Sequence, residues 1–203
     1  MKPREMEKLT AHFDAYFGQT DSMVLHPVVE MQPHIDTLLY APNDAYPYWK
    51  LVTMGASDYR MPEKKAPLGD RNEYIMLVDA AENLRDAATV NQYLHLLMEV
   101  ALYPPLNRQY ITYGHSLEWE PEEGEEMVGV FLELPQIIPD PNVVRCRLGL
   151  GKTAVCLLVV PLTRAELDRL LEIGPEAFSL WLFPEEENAP RHFLSEVRRT
   201  ERF

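Results

Sequence analysis

The sequence predicts an α+β fold with a mixed, largely antiparallel β-sheet and helices packed on it. Short apolar segments typical of strands dominate, and helical periodicity is confined to a few segments. Predicted strands and helices do not alternate in the regular order that a parallel sheet requires. The chain has 203 residues, of which 46% are hydrophobic and 25% charged, which is ordinary for a globular protein. We expect one domain over residues 1–203, with its motif-bearing core at 24–174, an N-terminal helix at 5–18 and a tail at 184–203.

The first element is an amphipathic helix over residues 5–18. Its apolar side chains recur every three or four residues, and Gly18 ends it. Four segments rich in β-branched, aromatic and aliphatic residues follow, each bounded by Pro, Asn, Asp or Gly. These predicted strands are residues 24–29, 34–40, 48–55 and 73–79.

A second helix follows the fourth strand. Thr89 and Gln92 have the spacing of a capping box, and Pro104 and Pro105 should end the helix. Its predicted apolar stripe consists of Val90, Leu94, Leu97, Met98, Ala101 and Leu102.

Three more strands and a third helix complete the pattern. The predicted strands are residues 127–134, 143–148 and 154–161. A capping box of Thr163 and Glu166 begins a helix that ends at Gly174. Residues 178–183 are apolar on all sides and too short to assign by periodicity.

The charge balance limits the classes of partner. The chain has 19 Lys and Arg against 32 Asp and Glu, a formal net charge of −13. Nucleic acids and anionic lipids are bound through Lys and Arg, so we expect neither nucleic acid nor membrane as a partner. No apolar stretch reaches the ~18 residues of a membrane span, and the first residues lack a signal-peptide core. We therefore expect a cytoplasmic protein, whose charge would attract a basic protein partner.

A histidine–aspartate pair is the first candidate for chemistry. His34 and Asp36 are two residues apart in a predicted strand and should point to the same face. His26 is close in sequence, but zinc and iron sites need three or four converging ligands, and no fourth stands at a recognisable spacing. We therefore expect these side chains to hydrogen-bond neighbouring strands or loops, without a metal or cofactor.

Ser57 and Asp58 are the second candidate. A hydrolase nucleophile elbow has the pattern Gly-x-Ser-x-Gly, and the segment from Gly55 to Tyr59 has only its first half. We expect a turn in which the Ser57 and Asp58 side chains bond local amides, and no catalytic residue. The alternative is a metal- or small-molecule-dependent enzyme that uses these two residues together with His34 and Asp36.

The segment from Glu118 to Glu126 contains six glutamates in nine residues and predicts an exposed loop. Trp119 lies within it, and an aromatic residue among charges is typical of an interface anchor. We therefore predict a partner-binding surface that consists of Glu118, Trp119, Glu120, Glu122 and Glu123.

Three motifs in chain order resemble those of the Suppressor of fused family. That family has a strand with His-x-Asp, then a Thr-x-Gly-x-Ser-Asp turn, then a strand with a Glu-Leu-like pattern. The matching segments are His34-Ile35-Asp36, then Thr53-Met54-Gly55-Ala56-Ser57-Asp58, then Asn72-Glu73-Tyr74-Ile75-Met76-Leu77. Similar segments downstream are Leu102-Tyr103-Pro104, Gly114-His115 and residues 131–135 and 160–163, so the resemblance covers residues 24–174.

The resemblance implies a Suppressor of fused-like scaffold that binds another protein and is not an enzyme. It implies a structural role for the motif residues His34, Asp36, Thr53, Gly55, Ser57 and Asp58. Animal members are two-lobed and sequester a transcription factor, a role that we do not transfer to a single domain. Bacterial single-domain members resemble immunity proteins that neutralise a toxin domain. We therefore expect an immunity-type or other regulatory protein whose partner is a protein, such as a basic toxin domain; its oligomeric state is not predicted.

Overall fold

The computed structural model describes residues 1–18, 24–26, 32–63, 66–121, 126–184 and 191–196. The helices are α1 (Pro3–Phe17), α2 (Ala87–Asn107), α3 (Arg164–Ile173) and α4 (Pro175–Leu182). The strands are β1 (Val24–Leu25), β2 (Asp36–Tyr40), β3 (Tyr48–Met54), β4 (Asn72–Asp79), β5 (Ser116–Glu118), β6 (Gly129–Glu133), β7 (Arg145–Gly149) and β8 (Lys152–Leu162). Two 3₁₀ turns lie at Ala56–Asp58 and Pro141–Val144. Within the described ranges, no helix has both the length and the apolar character that crossing a membrane requires.

The strands form one mixed sheet in the order β1-β2-β3-β4-β8-β6-β5, with β7 also paired to β8. Among the named strands of the described residues, β4 and β8 pair in parallel, and the other strand pairs are antiparallel. This confirms the predicted mixed, largely antiparallel α+β class. The order leaves β1 and β5 at opposite ends of the described sheet.

Helices lie on both faces of the sheet, and the strands β2, β3, β4, β6 and β8 are buried along most of their length. Along β8, Cys156, Leu158 and Val160 pack into a core with α1, α3 and α4. The alternating residues Val155, Leu157 and Val159 pack into a second core with α2. Because both faces of β8 pack into apolar cores, its sequence is a continuous hydrophobic run rather than an alternating one.

The second helix differs from its prediction at both ends. Asp86 is the N-cap residue, and its carboxylate accepts the Thr89 amide at 2.9 Å, so the predicted Thr89 cap is wrong. Pro104 and Pro105 lie inside α2, which continues to Asn107. Neither proline has an N–H group, so the helix continues past them without two of its usual main-chain hydrogen bonds.

The remaining differences are local. The structure confirms the Thr163 capping box and makes the unassigned residues 178–183 largely part of α4. Of the predicted strand 24–29, Val24–Leu25 form β1, and residues 27–29 lie outside the described residues. Strand β2 begins at Asp36, so His34 precedes the strand rather than belonging to it. The sequence placed Glu118 in the acidic loop, but Glu118 is the last residue of β5. The loop therefore begins at Trp119.

Candidate functional site

The Ser57–Asp58 turn is held by Arg71, directly before β4, and by Glu73, the second residue of β4. The Glu73 carboxylate accepts hydrogen bonds from the amides of Gly55 and Ser57, each at 3.1 Å. The Arg71 guanidinium donates to the carbonyl oxygens of Ser57 and Asp58 at 2.8 and 2.9 Å. A carboxylate therefore satisfies the N–H groups of the turn, and a guanidinium satisfies its C=O groups.

Thr53 joins the end of β3 to the same carboxylate. Its hydroxyl donates to Glu73 Oε2 at 2.6 Å and accepts the Tyr74 amide at 2.8 Å. Thr53 and Glu73 are both fully buried. Burial raises the pKa of Glu73, and the hydrogen bonds that its carboxylate accepts oppose that rise.

The sequence predicted that the Asp58 side chain bonds the amides of its own turn, but in the structure this carboxylate binds two cationic groups instead. Its Oδ1 accepts a hydrogen bond from Lys152 Nζ at 2.5 Å, and its Oδ2 pairs with the amino group of Met1. Lys152 also binds Glu5 at 3.0 Å. Partial burial raises the pKa of Asp58, but the hydrogen bonds from Lys152 and the amino group outweigh burial and lower it overall. The local-cap role that we predicted for Asp58 is therefore wrong; Glu73 supplies it instead.

Gly55 brings the two halves of the family motif into contact. Its φ is +130°, and a Cβ at this position would lie 2.3 Å from the carbonyl oxygen of His34. Residues other than glycine rarely adopt this backbone conformation. The turn can therefore lie against the His34 backbone only because residue 55 has no side chain.

His34, Asp36 and His26 form a cluster beside this contact. Asp36 Oδ1 lies 3.0 Å from His34 Nε2 and 2.7 Å from His26 Nδ1. The structure thus brings together the pair that the sequence selected and the histidine that it placed nearby. Asp36 is almost fully buried, whereas both imidazoles are largely exposed. Such a group of one carboxylate and two imidazoles has the donor atoms of a transition-metal site.

Strand β5 forms an edge of the sheet that lies far from this cluster in the strand order. The Trp119 amide donates to the Val128 carbonyl, and the Leu132 amide donates to the His115 carbonyl. Because antiparallel partners alternate in direction, the main-chain groups of Ser116 and Glu118 point away from β6. Within the part of the chain that the structure describes, no further strand pairs with this side of β5.

Gly129 allows β5 to approach β6 closely. A Cβ at Gly129 would lie 2.4 Å from the carbonyl oxygen of Leu117. The main-chain positions of β5 are therefore set by backbone packing, although the strand has only three residues.

The predicted partner-binding residues follow this edge. Glu118 and Glu120 are exposed, and Glu118 accepts a hydrogen bond from Arg164 at 2.6 Å. Trp119 is half-buried and packs against the α2 core, so part of its ring stabilises the domain itself. Glu122 and Glu123 lie outside the described residues.

Sequence reasoning did not select Glu73, Arg71 and Lys152 as site residues. Glu73 and Arg71 stand at the start of an apolar strand, and a charged residue directly before or inside such a run is a signal that can be searched for. Lys152 begins β8 after the Gly151 turn, and only the tertiary structure relates it to Asp58.

Comparisons with known proteins place this chain in a family and match its fold to solved structures. The sequence profile of the family described as Suppressor of fused protein (SUFU) matches residues 31–193. A search of curated proteins finds no match to the sequence. The fold is similar to that of a Suppressor of fused homologue from Neisseria gonorrhoeae FA 1090, with 13% sequence identity, coverage of 97% of this chain and 95% of that chain, and a TM-score of 0.64.

Two further solved structures share the fold. One is that of a Sufu–Fu complex, with 10% identity, coverage of 99% of this chain and 93% of that chain, and a TM-score of 0.68. The other is Drosophila Suppressor of Fused, with 12% identity and a TM-score of 0.65. This chain is covered to 99% in that comparison and spans 53% of the Drosophila chain.

The family match includes the turn, the histidine–aspartate pair and β5, and it covers most of the 203 residues. The sequence motifs, the matched profile and the fold therefore lead to the same assignment. The protein belongs to the Suppressor of fused family.

Proposed function

We propose that this protein is a binding module that masks a partner protein, and that the partner docks on the β5 edge, defined here as residues 116–120. The observation that carries the proposal is the outer side of β5, where the main-chain groups of Ser116 and Glu118 point away from the sheet. An exposed strand edge can accept a strand from another chain, which then gains main-chain hydrogen bonds.

Side chains at this edge suit a basic partner. Glu118 and Glu120 are exposed beside the half-buried Trp119. We include Glu122 and Glu123 in the surface on the basis of the sequence alone. A partly accessible indole offers an apolar anchor, and the surrounding carboxylates accelerate association with a cationic surface.

The finer proposal is an immunity-type role against a basic toxin domain. The net charge of −13 favours association with a basic protein. The Sufu of the solved complex has a protein partner, Fu, which supports protein binding for this chain. The alternative is a regulatory partner of another class, and experiment must distinguish it from a toxin domain.

The motif turn supports binding over catalysis. Both oxygens of Asp58 bind cationic groups, and its pKa is lowered, so it is a poor general base. Thr53, Gly55 and the Ser57 amide are engaged with Glu73. We propose that the turn residues Thr53, Gly55, Ser57 and Asp58 position the backbone, rather than form the catalytic site of the alternative enzyme hypothesis.

The test uses one position on β5. Glu118→Pro removes an N–H group that points away from β6, and proline is tolerated at edge strands. Glu118→Ala removes the same side chain and keeps that N–H group. With the full chain as bait in an extract of the source cell, we expect wild type and Glu118→Ala to enrich one basic protein and Glu118→Pro to lose it. Equal enrichment by all three baits would exclude docking at this edge, and no enriched protein would contradict the binding function.

The captured partner then tests the finer role. Expression of the partner alone should arrest growth, and co-expression of this protein should restore it. A captured partner that binds but is harmless would make the protein a regulator rather than an immunity protein.

The same partner tests the contribution of charge and of the indole. Changing Glu118, Glu120 and Glu126 to Lys should slow association and flatten its dependence on salt between about 50 and about 300 mM. Trp119→Ala should mainly speed dissociation, and its unfolding should be measured alongside because Trp119 also packs on the core.

A further inference from the structure

We propose that His26, His34 and Asp36 form a binding site for a divalent transition-metal ion, with Zn²⁺ as the ion that the donor set suits best. The site is separate from the β5 edge and does not depend on the function proposed for that edge. It replaces the expectation from the sequence that these side chains only hydrogen-bond.

The register of β1 and β2 assembles the site. Val24 pairs with Leu38, and Leu25 pairs with Thr37, so His26 continues the register opposite Asp36. His34 precedes Asp36 by two residues and reaches the same carboxylate. The three side chains therefore converge because of backbone pairing, which the spacing of the residues in the sequence does not reveal.

The distances between donor atoms fit a metal centre. Bonds of ~2.0–2.2 Å in tetrahedral or octahedral geometry place neighbouring ligand atoms about 2.8–3.5 Å apart. Asp36 Oδ1 lies 2.7 Å from His26 Nδ1 and 3.0 Å from His34 Nε2. One ligand atom from each of the three residues lies within 4.8 Å of the others. Both rings are exposed and have room to turn toward an ion shared with Asp36.

Burial divides the site into a fixed part and an open part. The Asp36 side chain is 5% exposed and belongs to β2, which pairs with β3 through Met54. The side chains of His26 and His34 are 68% and 49% exposed. The carboxylate is therefore preorganised, and the solvent side leaves room for water as a further ligand. Three protein ligands and one water form the usual set of an open zinc site, so a fourth protein ligand is not required.

Imidazole and carboxylate donors select a borderline ion over a hard one. Two of the three ligands are nitrogen atoms, whereas Mg²⁺ and Ca²⁺ prefer oxygen ligands only. Zn²⁺ should therefore bind and Mg²⁺ should not. An ion that binds the folded state alone also stabilises it, and the melting temperature should rise with Zn²⁺ concentration.

The test is a titration of the chelator-treated full chain with ZnCl₂ and, separately, MgCl₂, followed by calorimetry and thermal unfolding. We expect one Zn²⁺ per chain, no response to Mg²⁺, and a melting temperature that rises with Zn²⁺. His26→Ala and His34→Ala should each weaken Zn²⁺ binding at least about 100-fold, because even loss of an outer-sphere partner costs ~10–100-fold.

The control is His95→Ala. His95 is also exposed and lies 3.8 Å from a carboxylate oxygen of Glu99 on α2, but it is not part of the cluster. Its loss should leave the site's affinity unchanged. Asp36 is buried, so Asp36→Asn is informative only if the variant still folds, and its Zn²⁺ affinity is then measured. His26→Ala and His34→Ala change exposed rings and should fold, so they decide the test. Absence of stoichiometric Zn²⁺ binding, or binding that survives both histidine variants, would overturn the proposal.

Discussion

Glu73 Oε2 accepts a hydrogen bond from the Thr53 hydroxyl at 2.6 Å, and both side chains are fully buried. The paired residues of β3 and β4 extend only as far as Val52 and Ile75. Beyond that pair, Thr53 and Glu73 continue the connection between the strands through their side chains. Where β3 ends, Glu73 also holds the amides of the turn, so one carboxylate replaces several main-chain hydrogen bonds.

Glu73→Ala should therefore destabilise the fold strongly. It leaves two amides and one hydroxyl without an acceptor, at ~1–3 kcal/mol for each buried group that finds no other partner. Glu73→Gln keeps one acceptor oxygen for the amides and should cost less. Urea unfolding of both variants checks the order, with Glu120→Gln at an exposed position as the control. A Glu73→Ala cost below about 1 kcal/mol would show that the turn does not depend on this carboxylate.

Gly55→Ala tests the contact between the two halves of the motif. Because φ is +130° and a Cβ would lie 2.3 Å from the His34 carbonyl oxygen, we expect a loss of about 2 kcal/mol or more in the free energy of unfolding. Gly149→Ala is the control, since a Cβ there meets nothing within 4 Å. Equal melting temperatures for the two variants would contradict the close contact.

Asp58→Asn tests the link between the turn and Lys152, and its effect should depend on pH. The folded state lowers the pKa of Asp58, so this carboxylate contributes stability above its unfolded pKa of ~3.9, and the contribution is lost as the pH falls through the lower folded pKa. We expect a cost of about 0.5–2 kcal/mol at neutral pH, limited by partial exposure. In a Lys152→Met background the effect of Asp58→Asn should shrink. Unfolding curves from pH 7 to about pH 2.5 measure both, and a pH-independent difference would contradict the ion pair.

Leu97→Ala tests the packing of α2 on the sheet. Leu97 is fully buried in the α2 core, and such truncations cost ~2–5 kcal/mol. Leu106 lies on the same helix and is 67% exposed, so Leu106→Ala should change the unfolding free energy by less than ~0.5 kcal/mol. Similar costs for the two variants would show that the helix packs differently.

The fold class was predictable because strong local signals agreed with tertiary packing. Apolar strands, the Thr163 capping box and the glycine at the end of α1 all recur in the structure. The cap of α2 was misassigned because Asp86 and Thr89 are both good cap residues, three positions apart, and Asp86 bonds Thr89 rather than leaving it free. Strand β5 was missed because a three-residue edge strand that ends in a glutamate has almost no apolar pattern.

The candidate site was predictable in its residues and not in their bonds. His34, Asp36 and Gly55 were selected from sequence motifs, but their contacts depend on the registers of β1, β2 and β3. Lys152 is 94 residues from its partner Asp58 in the chain, and no local rule relates the two. Long-range pairs of this kind follow only from the assembled sheet.

The most direct test of partner docking is amide hydrogen exchange in the free protein and in complex with the captured partner. The Ser116 and Glu118 amides point away from β6, so they should exchange rapidly in the free protein and become strongly protected in the complex. The amides of Val24 and Leu25, at the opposite edge of the sheet, should change little. Protection confined to β1 or to the α3 surface, with residues 116–120 unchanged, would contradict the account.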